Sequence, residues 1–213
     1  HILHVSTSKE LALFDNAIPL AEKKITAEAC VHHLWFDEND YDKLGTRIKW
    51  NPAIKTTDDR KKLRDAIINN TIDLIATDHA PHTPEEKSQT YFKAPSGGPL
   101  VQHALPAMLE LYHQKIFSLE KIAEKMCHAP AIAYKIDRRG FIREGYFADL
   151  ALVNLNKPFT VNKDNILYKC SWSPFEGTTF QSSVTHTFVN GNMVYGDGKI
   201  DERVRGMRLA FNR

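Results

Sequence analysis

The segment Ile72-Asp73-Leu74-Ile75-Ala76-Thr77-Asp78-His79-Ala80-Pro81-His82 carries the densest chemistry in the 213-residue chain. A short apolar run delivers a carboxylate, Asp78, followed at once by one imidazole and four residues later by a second. A carboxylate leaving a buried strand has to be paired, protonated or bound to a metal ion, because burying it bare costs several kcal/mol. His4, late in an N-terminal apolar run, and the pair His32-His33, just after a second run containing Glu28, are further candidates. The bland alternatives are a loop cap for Asp78 and satisfied core imidazoles for the histidines. Convergence favours chemistry, since His4 and Asp78 fall at the C-terminal ends of different runs and together offer a nitrogen and an oxygen donor. A mononuclear zinc site uses about three protein ligands, and the sequence offers two. His32, His33 and Glu28 read as structural groups or as outer supports of such a site.

Residues so far apart in sequence need a scaffold that gathers strand ends. Apolar runs alternate here with helical patterns, as in βα units on a parallel sheet. The first unit runs from a strand, His1 to Ser6, into a helix from about Ser8, with Thr7 and Glu10 at capping-box spacing. Leu11, Phe14, Ile18 and Ala21 would share one face of that helix. The second passes from a strand, Ile25 to Val31, through an Asp- and Asn-rich stretch to a helix over 58–69 with Leu63, Ala66 and Ile67 inward. The third pairs a strand, Ile72 to Ala76, with a helix over 100–112 bearing Leu105, Met108, Leu109 and Tyr112. Two short helices, 119–127 and 130–135, are expected next, the second opening on Pro130 where a missing N–H is harmless.

Three such units fit a doubly wound sheet or a (β/α)₈ barrel. No GxGxxG or GxxxxGK loop follows any of the strands, which favours the barrel. Beyond Gly145 the texture turns to β, with runs at 149–154, 185–189 and 192–195, the last two flanking Asn190-Gly191, a strong hairpin signal. The expected organisation is α/β: residues 1–147 form the last three βα units of a TIM barrel with trailing helices, and 148–213 form a small β segment. The chain lacks an initiator Met and opens inside an apolar strand pattern, so we expect a piece of a longer protein.

Composition removes several classes of function. With 28 basic and 26 acidic residues the net charge is +2, too small and dispersed to gather nucleic acid or anionic lipid. No apolar run approaches the roughly 18 residues of a membrane span, and no signal segment opens the chain, so a soluble, cytoplasmic protein is expected. Cys30, Cys127 and Cys170 are odd in number and lack CxxC spacing, which suits reduced packing thiols. Trp172 and the other aromatics are expected in the core.

An ordered series of motifs extends this reading. Thr77-Asp78-His79-Ala80-Pro81-His82 with Glu86-Lys87, and His4-Val5-Ser6-Thr7, resemble the final-strand and sixth-strand motifs of dihydroorotases. Thr26-Ala27-Glu28 with His32-His33-Leu34, Lys49-Trp50-Asn51-Pro52, Ser96-Gly97, Ala104-Leu105-Pro106, Gly145-Tyr146-Phe147-Ala148-Asp149-Leu150 and Ser173-Pro174-Phe175-Glu176-Gly177 follow in the family's order. The resemblance covers essentially the whole chain. It implies a zinc-dependent cyclic-amide hydrolase of the amidohydrolase superfamily that interconverts N-carbamoyl-L-aspartate and dihydroorotate. His4 and Asp78 would bind metal, with two zinc ions in the complete site. Asp78 would also carry the catalytic proton, and Asn51, His82, Ser96 and Gly97 would hold substrate.

The resemblance further implies a composite β-sandwich shared with other residues, a homodimer, and metal ligands on strands outside this chain, so that these 213 residues alone should be inactive. Val31, Ala53-Ile54-Lys55 and Ser96 depart from the family's usual pattern, which bears on substrate fit more than on the metal chemistry. Allantoinase or dihydropyrimidinase activity, and a non-catalytic relative that organises a partner such as a transcarbamoylase, are the competing readings.

Overall fold

Three extended segments run parallel, side by side, in the N-terminal part of the computed structural model, which describes residues 1–196 and 198–212. Strand β1 (Glu28–Cys30) is buried throughout and pairs in parallel with β2 (Leu74–Ala76), Glu28 opposite Leu74 and Cys30 opposite Ala76. On the other side of β1, Ile2 bridges Ala27 in parallel, its N–H donating to Thr26 O at 2.7 Å and its carbonyl accepting from Glu28 N at 3.0 Å. The continuous strand expected over His1–Ser6 is corrected to this single bridge. His4 takes a left-handed φ of 41°, which turns the chain out of the ladder before Val5 N returns to Glu28 O.

The long helix expected after Ser8 is likewise shorter, a 3-10 turn over Ser8–Leu13. Its capping box forms, with the Glu10 carboxylate accepting from Thr7 N at 2.9 Å and from the Thr7 hydroxyl at 2.8 Å. Leu11 and Phe14 pack on the core. The chain then leaves the helical path, because Asp15 captures Ala17 N in a side-chain turn and Pro19 lies ahead. Ile18 and Ala21 are therefore exposed. Val31, placed in a strand by its apolar character, instead opens α1 (Val31–Trp35), whose Val31, His32, His33 and Leu34 are all buried.

After the short α2 (Tyr41–Leu44), helix α3 (Thr57–Ile68) matches expectation, capped by Thr56 and burying Leu63, Ala66 and Ile67. A one-turn helix, α4 (Pro84–Lys87), precedes α5 (Ala104–His113). The two helices expected next form one run, α6 (Leu119–Ala123) passing through a π turn, Glu124–His128, into α7 (Ala129–Ala133). Pro130 cannot donate within an α-helix, and the wider turn before it lets the run continue.

The C-terminal part holds β3 (Leu150–Asn154), β4 (Phe159–Thr160), β5 (Thr179–Phe180), β6 (Ser183–Val189), β7 (Asn192–Gly196) and β8 (Lys199–Ile200). A four-stranded antiparallel sheet has the order β3-β6-β7-β8, and β4 pairs separately with β5. Asn190 and Gly191, with φ of 51° and 80°, form the β6–β7 turn, as a two-residue hairpin requires. The two-residue strands β4, β5 and β8 were too short to show a period. Val161, Phe175 and Phe180 join the same core as Leu34, Trp50 and Met108, and Phe175 stacks on Phe36 at 5.4 Å between ring centres. Trp172 is buried as expected, as is Cys30, but Cys127 is exposed.

A buried ion pair fixes the register of the parallel segments. Asp73, 3% exposed, accepts from Ala27 N at 2.8 Å and from Lys23 Nζ at 2.6 Å. Lys125 Nζ donates to the carbonyls of Ile72 and Asp73 at 3.0 and 3.1 Å, tying the same strand start to the helical run behind it. Asp73→Ala would leave a buried ammonium and a strand N–H unpaired. Urea unfolding should report a loss of about 3–5 kcal/mol, and a loss under about 1 kcal/mol would show that the clamp is not needed.

His103 is 1% exposed, its Nδ1 3.1 Å from the Ser173 hydroxyl, and burial holds the ring down to about 4. The unfolded chain takes up that proton near pH 6.5, before the folded ring does, so stability is full above that pH and falls between pH 6.5 and 4. The drop attributable to this one ring is roughly 3 kcal/mol. Unfolding midpoints at pH 7 and 5 should differ less in His103→Gln than in the unaltered protein.

Candidate active site

The register sets where the reactive groups emerge. Ile2 aligns with Ala27, and Cys30 with Ala76. His4 therefore lies two residues past the first of these rows and Asp78 two residues past the second, at the C-terminal ends of the two parallel segments that flank β1. Both take left-handed backbone, with φ of 41° and 48°. Non-glycine residues adopt that conformation at a cost of about 1–3 kcal/mol, and such strain concentrates where side chains must be aimed. Both side chains are half-buried. Within the described residues, no hydrogen bond or ion pair engages the His4 ring or the Asp78 carboxylate.

Buried groups surround them. Burial raises the Glu28 carboxyl above its ordinary value against the opposing pull of His4, and its carboxylate lies 3.0 Å from His1 Nε2. Burial also raises the Cys30 thiol, with the negative charges of Glu28 and Asp78 adding to the effect. His32 has no exposed surface and stacks on Trp50 with ring centres 4.5 Å apart and planes 12° apart. Desolvation, helped by the neighbouring His33 and His4, holds the His32 imidazole neutral. His33 donates from Nε2 to Pro52 O at 3.1 Å, and its burial brings the ring down to about 4. These are supporting groups rather than reactive ones.

A second cluster is built around His82. His82 Nε2 donates to Ser96 O at 3.0 Å, its Nδ1 lies 3.4 Å from the Glu86 carboxylate, and its carbonyl accepts from Trp172 Nε1 at 2.7 Å. Gly97 follows with φ of 113°; a Cβ there would sit 2.5 Å from Ala80 O, so only glycine fits. The N–H of Gly97 donates to Lys49 O at 2.9 Å, which ties the loop to the segment leading into Asn51. Asn51 is exposed and joins Pro52 by a cis peptide bond. His82, Ser96 and Gly97 thus meet in one hydrogen-bonded unit, and Asn51 stands beside it on a separate loop. His79 is occupied structurally, its Nδ1 accepting from Leu100 N at 3.0 Å.

Two further members were quoted within sequence motifs but were given no role there. Lys87 is 3% exposed and donates to the carbonyls of Lys49, Pro95 and Gly97 at 3.1, 2.9 and 2.8 Å. Burial, with Lys49 nearby, pushes its ammonium down to about 8. Asp73, the register clamp, was placed in the strand over 72–76 without a role, because its partners Lys23 and the Ala27 N–H lie on other segments.

Among the described residues, no group of three His, Cys, Asp or Glu side chains is gathered to hold a metal ion. His4 and Asp78 nevertheless have the right donor chemistry for zinc and are free of competing hydrogen bonds. They fit as two members of a larger ligand set.

Comparison with known proteins identifies the family. The Amidohydrolase family model matches residues 3–194. A dihydroorotase from Endomicrobium trichonymphae is 34% identical over 92% of this chain and 46% of its own length. An allantoinase from Desulfitobacterium hafniense (strain Y51) is 32% identical over 98% of this chain and 46% of its own. Among solved structures, the L-hydantoinase (dihydropyrimidinase) from Arthrobacter aurescens superposes with a TM-score of 0.84 at 26% identity, covering 93% of this chain and 45% of that one. The chain spans about half the length of the curated relatives it matches. Among the described residues no helix is long and apolar enough to cross a membrane. With a mixed α/β fold shared with a hydantoinase and a match running through nearly all of its residues, the chain belongs to the amidohydrolase family.

Proposed function

We propose that this chain forms part of a zinc-dependent dihydroorotase, which interconverts N-carbamoyl-L-aspartate and (S)-dihydroorotate. The observation that carries the reading is the emergence of His4 and Asp78, both left-handed and with side chains free of hydrogen bonds among the described residues, at the C-terminal ends of the two parallel segments that flank β1. The three segments would be the closing strands of a (β/α)₈ barrel, and the four-stranded sheet would belong to a composite sandwich. The rest of a longer protein would supply the remaining metal ligands.

Zinc, when bound by His4, Asp78 and those further ligands, supplies a water acidified to a pKa of about 7, a nucleophile available at neutral pH. Asp78 needs only one oxygen for the metal and has the other free to accept the proton lost as the water oxygen bonds to the ring amide carbon. It then delivers that proton to the departing ring nitrogen as the C–N bond breaks, leaving a carboxylate and a neutral carbamoyl group. Asn51, His82 and the backbone of Ser96 and Gly97 would orient the ring. The reverse steps close the ring.

The 32% identity to an allantoinase over almost the whole chain supports a second reading, in which the same machinery opens a ring without the dihydroorotate carboxylate. A purely organising role is disfavoured by the retention of His4, Asp78 and His82 together.

Full-length protein is expected to turn over dihydroorotate at least about tenfold faster than allantoin or hydantoin; the opposite order in a side-by-side assay would select the second reading. Asp78→Ala should lower kcat/KM by about 10³-fold or more while the circular dichroism spectrum is unchanged. A rate within tenfold of the unaltered enzyme would end the proposal. Dialysis against a strong chelator should abolish turnover and zinc should restore it, and activity in protein shown by elemental analysis to be metal-free would exclude the mechanism.

A further inference from the structure

We propose that Lys87 is a positioning residue, the common anchor that sets the three substrate-binding segments against one another. This rests on the function proposed above. Its ammonium has three protons, and each finds a carbonyl, on Lys49, Pro95 and Gly97. Lys49 leads directly into Trp50-Asn51. Pro95 and Gly97 flank Ser96, whose own carbonyl points the other way, to His82 Nε2. The loop therefore alternates its carbonyls, the outer two held by Lys87 and the middle one presented to His82.

The same turn of helix controls His82 as well. Thr83 caps α4, with its hydroxyl accepting from Glu86 N at 3.2 Å while the Glu86 carboxylate accepts from Thr83 N at 2.8 Å. Glu86 also approaches His82 Nδ1. Its neighbour Lys87 is buried by that geometry, and its carbonyl accepts from the Thr46 hydroxyl. Four residues thus orient His82 through one side chain and the 95–97 loop through the next. An arginine could not replace Lys87, since its planar fork does not match three carbonyls converging on one point. An apolar side chain would leave all three without donors.

The test compares full-length protein with Lys87→Met and Lys87→Gln, reading amide hydrogen exchange over 49–51 and 95–98 alongside kinetics and zinc content. A positioning role is expected to speed exchange in both segments at once, raise KM for dihydroorotate about tenfold or more, leave kcat within threefold and leave zinc content unchanged. Unchanged exchange in both segments would overturn the proposal, as would a fall in kcat with KM fixed or a loss of bound zinc. Failure of both variants to fold would make Lys87 a residue of the fold and would overturn it equally. If the unaltered protein opens none of the cyclic amides, the functional reading fails, while the exchange measurement still decides whether Lys87 joins the segments.

Discussion

The parallel register of three short segments is the constraint on which everything else rests. The side-chain period of a strand is two, so a slip of one residue would send His4, Cys30 or Asp78 to the wrong side of the sheet. So little ladder cannot hold register by itself: β1 and β2 have three residues each, and the first segment contributes one bridge. The extra specification comes from Asp73, whose carboxylate holds the Ala27 N–H in the next segment and is itself neutralised by Lys23. A buried pair of this kind contributes little net stability against an apolar substitute. Its value here is positional, since it forbids the neighbouring registers that hydrophobic pairing alone would tolerate.

Given that register, the reactive end is built by spending conformational strain where charge is wanted and denying charge elsewhere. His4 and Asp78 sit on left-handed backbone and stay half-exposed. The groups behind them are pushed toward neutrality by burial: Glu28 and Cys30 upward, His32 and His33 downward. The uncharged Cys30 thiol and the uncharged His32 and His33 imidazoles lower the local dielectric without adding competing charges, so a carboxylate and an imidazole above them interact more strongly with any cation they share.

How much of this was legible in the sequence follows from the range of the forces involved. Helix α3 and the β6–β7 hairpin were readable because their signals are local: a cap with an apolar stripe, and an Asn-Gly turn. His4 and Asp78 were readable because apolar runs end at them, and the motif series gave His82, Ser96 and Gly97. The first helix was overestimated because its apolar spacing continues past Leu13 while Asp15 and Pro19 end it locally. Val31 was misplaced because a buried helix start and a buried strand end have the same composition. Phe175 and Phe180 gave no hint that they complete the core around Trp35 and His103, because that contact depends on where a long connection returns. The motif series included Lys87 but could not give it a role, since its partners are backbone carbonyls whose positions no side chain announces.

The departures from the usual dihydroorotase pattern can now be weighed by what each position does. Ser96 offers its backbone carbonyl to His82, so the identity of its side chain is free to vary without disturbing that bond. Val31 is fully buried at the head of α1 and serves packing. In Ala53-Ile54-Lys55, Ile54 is buried and Lys55 turns back to the Ala53 carbonyl, which shapes the loop just beyond Asn51. None of the three touches His4, Asp78 or the register clamp. The strand ends that deliver His4 and Asp78 and the loops around His82, Ser96 and Gly97 are thus separately determined, one by sheet register and the other by backbone carbonyls gathered on Lys87. That separation accounts for similarity to a dihydroorotase, an allantoinase and a hydantoinase at once. A family built this way can exchange one cyclic amide for another by reshaping loops while His4 and Asp78 stay where the strands deliver them.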